Sequence, residues 1–193
     1  MTAEMDSAGF YTAARRLDSP HCDARPEGMA IELIVIHNIS LPPGQFGGDD
    51  VCDFFLGKLD PRGDPFLESI KSMRVSAHFF VRRDGCVVQF VPVGGRAWHA
   101  GVSLWRGREK CNDFSIGIEL EGQDDLPYDE RQYGALLPLL KALVRHSPIT
   151  GIAGHEYIAP GRKTDPGPAF DWPRLIRETG FPAQWFGEIA AIG

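Results

Sequence analysis

Apolar and polar positions follow one another along this chain in patterns that predict several short strands. Residues 31–38 (IELIVIHN) are apolar on both faces of an extended chain, which is typical of a central strand. Residues 77–92 contain two alternating runs joined at Asp84-Gly85, a strong turn signal, and therefore predict a hairpin. Residues 114–122 alternate strictly and predict another strand. Its two faces would carry Ile116, Ile118 and Leu120 on one side, and Gly117, Glu119 and Glu121 on the other.

Two helices are predicted in the second half of the chain. Apolar residues recur at helical spacing over about residues 129–146, although Pro138 interrupts the pattern. Residues 152–156 (IAGHE) predict the end of a short strand, and residues 172–179 predict a closing helix. This mixture of strands, a hairpin and helices is typical of the α/β class with a mixed sheet.

Two long segments, residues 41–74 and 94–113, show little periodicity apart from a short helical stretch at 50–56. Loops of this length within a compact domain are usually functional or disordered. We therefore expect a single domain over residues 1–193, in which a central mixed β-sheet is flanked by helices and the long loops form the active-site cleft.

Composition and charge narrow the possible partners. The 193 residues include 20 Lys and Arg against 26 Asp and Glu, whereas non-specific nucleic-acid binding depends on a basic surface. We expect a monomer that takes a small soluble substrate and binds neither nucleic acid nor membrane. The N-terminal residues lack the apolar core of a secretory signal, and the four cysteines form no CxxC pair. These features predict a cytoplasmic protein with free thiols.

Two histidines and one aspartate are candidates for a metal site. His37 ends an otherwise apolar strand, His155 ends the short strand IAGH, and Asp165 lies ten positions later in a proline-bounded segment. Each histidine alone is also explained as a hydrogen-bonded core residue. Together, two imidazoles and a carboxylate with an open fourth position would form a catalytic zinc site, although the HExxH motif is absent. The residues alone leave both interpretations open.

A carboxylate and a lysine are candidates for acid–base and electrostatic catalysis. Glu119 lies among apolar neighbours, where loss of hydration would raise its pKa and suit it to act as a general base. Glu121, further along the same strand, is interpreted as part of a solvated sheet face. Lys163 lies two residues before Asp165, so both side chains would point to the same side of an extended segment. Two interpretations of Lys163 are open: its charge stabilises a developing oxyanion, or it is an ordinary surface lysine.

Aromatic and cationic residues in the long loops are further candidates for substrate contact. Trp98 and His99 would stack on a sugar or simply fill space within the loop. The loop cations could pair with a substrate carboxylate, but such cations are usually only solvated. They are Arg74, Arg106, Arg108 and Lys110.

Several blocks of sequence, in order, resemble a known enzyme family. The blocks are VIHNISLPPGQFGG, VSAHFFVRRDG, RAWHAGVS, CNDFSIGIELEG and RKTDPGPAFDW. They are similar to the AmpD-type 1,6-anhydro-N-acetylmuramoyl-L-alanine amidases, which belong to a zinc amidase family shared with phage amidases and peptidoglycan-recognition proteins. The resemblance covers nearly the whole chain, and its departures, such as Cys22 and Ala24, fall outside the ligand positions.

The resemblance implies a role for each matching position. It implies that one Zn²⁺ per chain is bound by His37, His155 and Asp165. Glu119 would activate water, and Lys163 would stabilise the transition state. Substrate-binding positions would be Asn38 and Trp98 in the cleft, and Arg74 near a peptide carboxylate.

The implied reaction is hydrolysis of the amide between the lactyl group of (anhydro-)N-acetylmuramic acid and L-alanine of the stem peptide. It would take place in cytoplasmic peptidoglycan recycling. One alternative is a phage-type or exported amidase that acts on intact peptidoglycan. Another is a non-catalytic muropeptide-binding module, a class that typically lacks part of the ligand set.

Overall fold

The structure is a computed structural model that describes residues 3–191. The strands within that range are β1 (Arg15–Arg16), β2 (Cys22–Ala24), β3 (Leu33–Ile39), β4 (Phe79–Val81), β5 (Val87–Gln89), β6 (Gly95–Ala97), β7 (Leu104–Trp105), β8 (Arg108–Glu109), β9 (Ser115–Glu121) and β10 (Gly151–Gly154). The helices are α1 (Asp50–Phe55), α2 (Pro65–Ile70), α3 (Glu130–His146), α4 (His155–Ile158) and α5 (Trp172–Thr179), with 3₁₀ turns at Cys111–Asp113 and Ala183–Ala191.

Six of these strands form one mixed sheet in the order β1-β5-β4-β9-β3-β10. The four strands β4, β9, β3 and β10 run parallel, whereas β5 pairs antiparallel with β4 in the predicted hairpin. This confirms the predicted α/β class with a central mixed sheet. The parallel strands end at the same edge, which brings their C-terminal residues together.

The central strand β3 is buried on both faces, as its sequence predicts. Ile34 and Ile36 belong to the cluster packed against α3 and α5, whereas Leu33 and Val35 pack on the opposite side of the sheet. On the same face of the sheet as Leu33 and Val35, α1 and α2 cover Phe80 in another apolar cluster. Helices therefore flank the sheet on both faces, which fixes the strand ends in a rigid core.

The two predicted helices are both present. α3 begins at a capping box formed by Asp129 and Gln132, and it continues through Pro138. Proline is tolerated here because it lies on the exposed side of the helix, where the unpaired carbonyl of Gly134 faces water. α5 spans the predicted residues and ends at Gly180, whose φ of 67° places it in the left-handed region that favours glycine.

The long loops contain more regular structure than their sequence indicates. The segment 41–74 holds α2 as well as the predicted short helix α1, and the segment 94–113 holds β6, β7 and β8. His155 begins the short helix α4 and does not end a strand. The four cysteines are free, as predicted. Among residues 3–191, no helix combines the length and the apolar character that crossing a bilayer requires.

Candidate active site and metal centre

The candidate site lies at the edge where the parallel strands end. β3 brings His37 to this edge, and β9 brings Glu119. His155 follows directly after β10, in the first turn of α4. Asp165 lies on the loop beyond α4, and its carbonyl accepts a hydrogen bond from the backbone N–H of Glu156 at 2.9 Å. This bond folds the loop back onto α4 and turns it towards the strand ends.

The structure brings the three predicted ligands together. The Nδ1 atoms of His37 and His155 are 3.0 Å apart, and each lies 3.0–3.1 Å from Oδ2 of Asp165. One donor atom from each residue lies within 4.8 Å of the others, so a single ion can contact all three. Two imidazole nitrogens and one carboxylate oxygen match the donor set of a catalytic zinc site.

The outer nitrogens of the two histidines also have partners. Nε2 of His155 lies 3.1 Å from the backbone carbonyl of Ala100, so this nitrogen carries the proton and donates it. Nε2 of His37 lies 2.9 Å from Nδ1 of His99. Both Nδ1 atoms therefore face the common centre while both Nε2 atoms are engaged behind it.

Burial and mutual contact set the protonation of this cluster. Burial, the largest cause, lowers the pKa of His37 to about 4, which keeps its imidazole neutral near pH 7. Burial alone would raise the pKa of Asp165, but the adjacent side chains of His155 and His37 outweigh that effect and hold its pKa below the usual range. Neutral imidazoles and an ionised carboxylate are the protonation states that bind a metal.

Glu119 is the buried carboxylate of the site. Its side chain is 8% exposed, and Oε2 makes no hydrogen bond within the described part of the chain. Burial, followed by the negative charge of Asp165, raises its pKa well above the usual value, whereas Lys163 acts in the opposite direction. The raised pKa agrees with the sequence prediction and suits a group that takes up and releases a proton.

The remaining predicted residues surround these groups. Lys163 is exposed and lines the same cleft as Glu119 and the metal ligands. The side-chain amide of Asn38 donates hydrogen bonds to Oδ1 of Asp124 at 2.8 Å and to the carbonyl of Pro166 at 3.1 Å. Asn38 thus joins two cleft loops, in addition to lining the cleft itself.

The predicted residue Trp98 lines the cleft, and the predicted residue Arg74 lies beside its ring. Cζ of Arg74 lies 5.6 Å from the centroid of the Trp98 ring, close enough for a cation–π interaction. The indole nitrogen of Trp98 donates to Oδ1 of Asp23 at 3.1 Å, and His21 stacks on the indole with ring centroids 6.2 Å apart. These contacts hold an aromatic platform beside an exposed cation.

The cleft, which is lined by Trp98, Glu119, Lys163 and the three proposed metal ligands, has a volume of about 710 Å³, in the range of small-molecule sites. The lining also includes a group of apolar residues, here called the apolar wall, that the sequence interpretation missed. It consists of Phe54, Phe55, Phe66, Ile70, Met73 and Val75. Part of this wall belongs to α2, whose start is marked in the sequence by the pair Asp64-Pro65, an N-cap followed by proline at the first helical position.

The interpretation of Glu121 as a solvated residue is wrong. Its side chain is 2% exposed. Its carboxylate accepts hydrogen bonds from the backbone N–H groups of Gly47 at 2.6 Å and Arg83 at 2.8 Å. The face of β9 that the alternation marks as polar is covered by loops, and Glu121 satisfies their backbone donors. His99, left unassigned between stacking and space filling, lies behind the metal ligands.

Comparison with known proteins identifies the family of the chain. The profile of the N-acetylmuramoyl-L-alanine amidase family matches residues 27–168. The chain is 55% identical over 169 residues to the 1,6-anhydro-N-acetylmuramyl-L-alanine amidase AmpD of Salmonella typhimurium strain SL1344, covering 86% of this chain and 90% of that protein. These matches confirm the resemblance found in the sequence blocks.

Two solved structures are also similar. The crystal structure of a selenomethionine AmpD derivative has a TM-score of 0.87 and 52% identity, covering 90% of this chain and 98% of that one. Escherichia coli AmiD, in complex with the substrate anhydro-N-acetylmuramic acid-L-Ala-D-gamma-Glu-L-Lys, has a TM-score of 0.58 and 31% identity, covering 92% of this chain and 66% of that one. By fold and by sequence, this chain belongs to the N-acetylmuramoyl-L-alanine amidase family.

Proposed function

We propose that this protein is a zinc-dependent amidase that cleaves the amide between the lactyl group of 1,6-anhydro-N-acetylmuramic acid and L-alanine of the stem peptide. The observation that carries the proposal is the convergence of His37, His155 and Asp165 beside the buried carboxylate of Glu119 in one cleft. Such a constellation is typical of metal-assisted hydrolysis.

His37, His155 and Asp165 would hold one zinc ion through Nδ1, Nδ1 and Oδ2. The fit rests on their spacing and on the donor set, since two imidazoles and a carboxylate are typical zinc ligands, the imidazole of His37 is neutral near pH 7 and the carboxylate of Asp165 is ionised. The chemistry that zinc supplies when bound is that of a Lewis acid, which lowers the pKa of water and polarises the scissile carbonyl. Because the protein would supply three ligands, a fourth position would remain open for water or for the carbonyl oxygen, as in other catalytic zinc sites.

Glu119 would act as the general base and then as the general acid. Its carboxylate accepts the proton of the attacking water and passes it to the nitrogen of the leaving L-alanine. A raised pKa supports both steps, because the group must bind the proton firmly enough to take it and weakly enough to return it. The absence of a protein partner for Oε2 among the described residues supports this role, since a committed structural carboxylate would be paired.

Lys163 would stabilise the negative charge that develops on the carbonyl oxygen. The side chain lines the cleft and is long enough for its ammonium group to approach a substrate bound beside Asp165. A cation at this point acts on charge that exists in the tetrahedral intermediate and not in the bound amide.

The relatives support a muropeptide as the substrate. AmpD of Salmonella typhimurium is named for the 1,6-anhydro sugar, and the structure of AmiD is that of a complex with an anhydromuramoyl tripeptide substrate. The cleft has matching chemistry, because the Trp98 ring suits the face of a sugar and Arg74 beside it suits a peptide carboxylate. Asn38 would contribute to substrate binding from the opposite side. We further propose that the protein acts as a cytoplasmic monomer on soluble muropeptides during peptidoglycan recycling.

The decisive experiment offers the purified protein three substrates. These are an anhydromuramoyl tripeptide, the same peptide on non-anhydro N-acetylmuramic acid, and intact peptidoglycan, each with and without a chelator. Mass spectrometry should detect free tripeptide from the anhydro substrate, with the product lost on chelation and restored by zinc.

Other outcomes would reverse parts of the proposal. Rapid release of peptides from intact peptidoglycan, with little action on the anhydro compound, would favour a phage-type or exported wall amidase. Binding of the muropeptide without any cleavage would favour a non-catalytic module. Cleavage that is unaffected by complete removal of the metal would rule out the zinc mechanism.

A further inference from the structure

A two-residue segment, His99–Ala100, lies behind both histidine ligands. The carbonyl of Ala100 accepts a hydrogen bond from Nε2 of His155 at 3.1 Å. The imidazole of His99 places Nδ1 2.9 Å from Nε2 of His37. One short stretch of loop therefore contacts the outer nitrogen of each ligand, although the two ligands lie 118 residues apart in the chain.

This segment is fixed in place by its surroundings. The side-chain oxygen of Asn112 accepts hydrogen bonds from the backbone N–H groups of His99 at 3.1 Å and Ala100 at 2.8 Å. Nε2 of His99 lies 3.2 Å from Oγ of Ser115. The imidazole ring rests on Gly117, where a Cβ atom would come within 2.4 Å of Cγ of His99. A glycine in the middle of β9 is thus explained by the ring that it accommodates.

The direction of the hydrogen bond between the two histidines follows from the geometry. Nδ1 of His37 faces His155 and Asp165, so it must be unprotonated to serve as a ligand. In the neutral imidazole the proton then lies on Nε2, which donates to Nδ1 of His99. His99 in turn carries its proton on Nε2, 3.2 Å from the hydroxyl of Ser115, which can accept it.

We propose that His99 is a positioning residue of the metal centre. By accepting a hydrogen bond from Nε2 of His37, it holds that ring in one orientation and in the neutral tautomer that can bind a metal through Nδ1. The inference rests on the zinc site proposed above. Most metal-binding histidines donate to a carboxylate, a backbone carbonyl or water. His155 follows that rule through Ala100, whereas His37 uses a second, neutral imidazole.

The test separates hydrogen bonding from space filling. His99→Phe keeps an aromatic ring over Gly117 but removes the acceptor. His99→Asn loses the ring but places Oδ1 where Nδ1 was, two bonds from Cβ, so it can still accept from His37. The same change at an exposed helix end, His146→Phe, serves as the control.

The measurement is the dissociation constant for zinc, obtained by competition with a chromophoric chelator at fixed pH. Loss of an outer partner of a metal ligand typically weakens metal binding by roughly 10–100-fold. We expect that loss for His99→Phe, a value within a few-fold of wild type for His99→Asn, and no change for His146→Phe. The visible spectrum of the Co²⁺-loaded protein should change in His99→Phe and be retained in His99→Asn.

Each outcome decides a separate question. Equal zinc affinity of His99→Phe and wild type would overturn the positioning role while leaving the zinc site intact. Equal losses in His99→Phe and His99→Asn would likewise overturn it, in favour of a space-filling ring. If His99→Phe does not fold, His99→Leu takes its place in the comparison with His99→Asn. Failure of the wild-type protein to bind zinc would overturn the proposed function itself.

Discussion

His37 and Glu119 lie directly opposite each other on the parallel strands β3 and β9. Paired residues on adjacent strands point to the same face of a sheet, with backbones about 5 Å apart. The proposed ligand and the proposed general base are therefore spaced by the hydrogen-bond ladder of the core and not by a loop. Such rigid placement is what acid–base chemistry beside a metal requires.

The first prediction concerns Glu119, the proposed general base, whose ionisable carboxylate is buried at a cost in stability. Glu119→Gln removes a buried carboxylate whose Oε2 atom makes no hydrogen bond within the described part of the chain. We expect kcat to fall by roughly 10²–10⁴-fold, while zinc content and thermal stability are retained or raised. The measurements are kcat, zinc content and the melting temperature. An unchanged kcat would contradict the assignment of Glu119 as the general base.

Glu121→Gln is the matched control for that variant. Its carboxylate accepts two backbone N–H groups, and an amide can accept through one oxygen only. We expect stability to fall by about 1 kcal/mol, because one part-buried donor loses its acceptor. The loss of kcat should be much smaller than in Glu119→Gln. The two glutamates of one strand face should thus show opposite signatures.

The second prediction concerns metal binding. His155→Ala removes a ligand nitrogen, and we expect both zinc and turnover to be lost together. Zinc content by mass spectrometry and turnover of the anhydromuropeptide are measured on the same preparation. His146→Ala, an exposed residue at the end of α3, should leave both unchanged. Full turnover by a His155→Ala protein that carries no zinc would contradict the site.

The third prediction concerns Lys163. Lys163→Ala should retain zinc and fold, but slow the chemical step by roughly 10²–10³-fold, the usual cost of losing one oxyanion stabiliser. The loss should be in kcat more than in KM, because the charge exists only in the transition state. Lys141→Ala on α3, where the lysine donates to the carbonyl of Glu178, provides a control. Equal kcat values for both variants would make Lys163 an ordinary surface residue.

The fourth prediction concerns acid stability. Burial, and secondly the charge of Arg25, lowers the pKa of His78 from 6.5 to about 3. Below about pH 6.5 the imidazole of His78 is protonated in the unfolded chain but stays neutral in the folded protein. The free energy of unfolding therefore decreases as the pH falls from 6.5 towards 3. One such histidine contributes a slope of up to about 1 kcal/mol per pH unit.

Denaturant unfolding of the metal-free protein at several pH values measures this slope. His78→Asn should flatten it by the contribution of one proton, since Oδ1 can still accept from the N–H of Gly117 while the side chain no longer titrates. Equal slopes in His78→Asn and wild type would contradict the prediction.

Parts of the fold could be predicted because their signals are local. β3 is a continuous apolar run, and α5 has both its helical periodicity and a closing glycine. β2 and β6 carry no comparable signal, since each is three residues long and Cys22 finds its partner Ala97 far along the chain. Short strands defined by distant partners are not visible in a local pattern.

The site could be predicted only in part for a similar reason. His37 and Asp165 are 128 residues apart, and nothing in their spacing shows that they meet. Their joint role was suggested by resemblance to a family, whereas the raised pKa of Glu119 followed from its apolar neighbours. The alternation of apolar and polar residues in β9 gave a wrong prediction at Glu121. The pattern marks one face of the strand as polar, but it does not reveal the loop around Gly47 that covers this face.

The arrangement of the parallel strands also determines when the site can form during synthesis. β3 is made early, but its neighbours β9 and β10 follow about eighty and about one hundred and twenty residues later. His37 therefore leaves the ribosome long before His155 and Asp165 exist. Contacts between such distant segments form slowly, because the intervening chain must first be ordered. The nascent chain cannot hold a metal through all three ligands until Asp165 has been translated, 128 residues after His37.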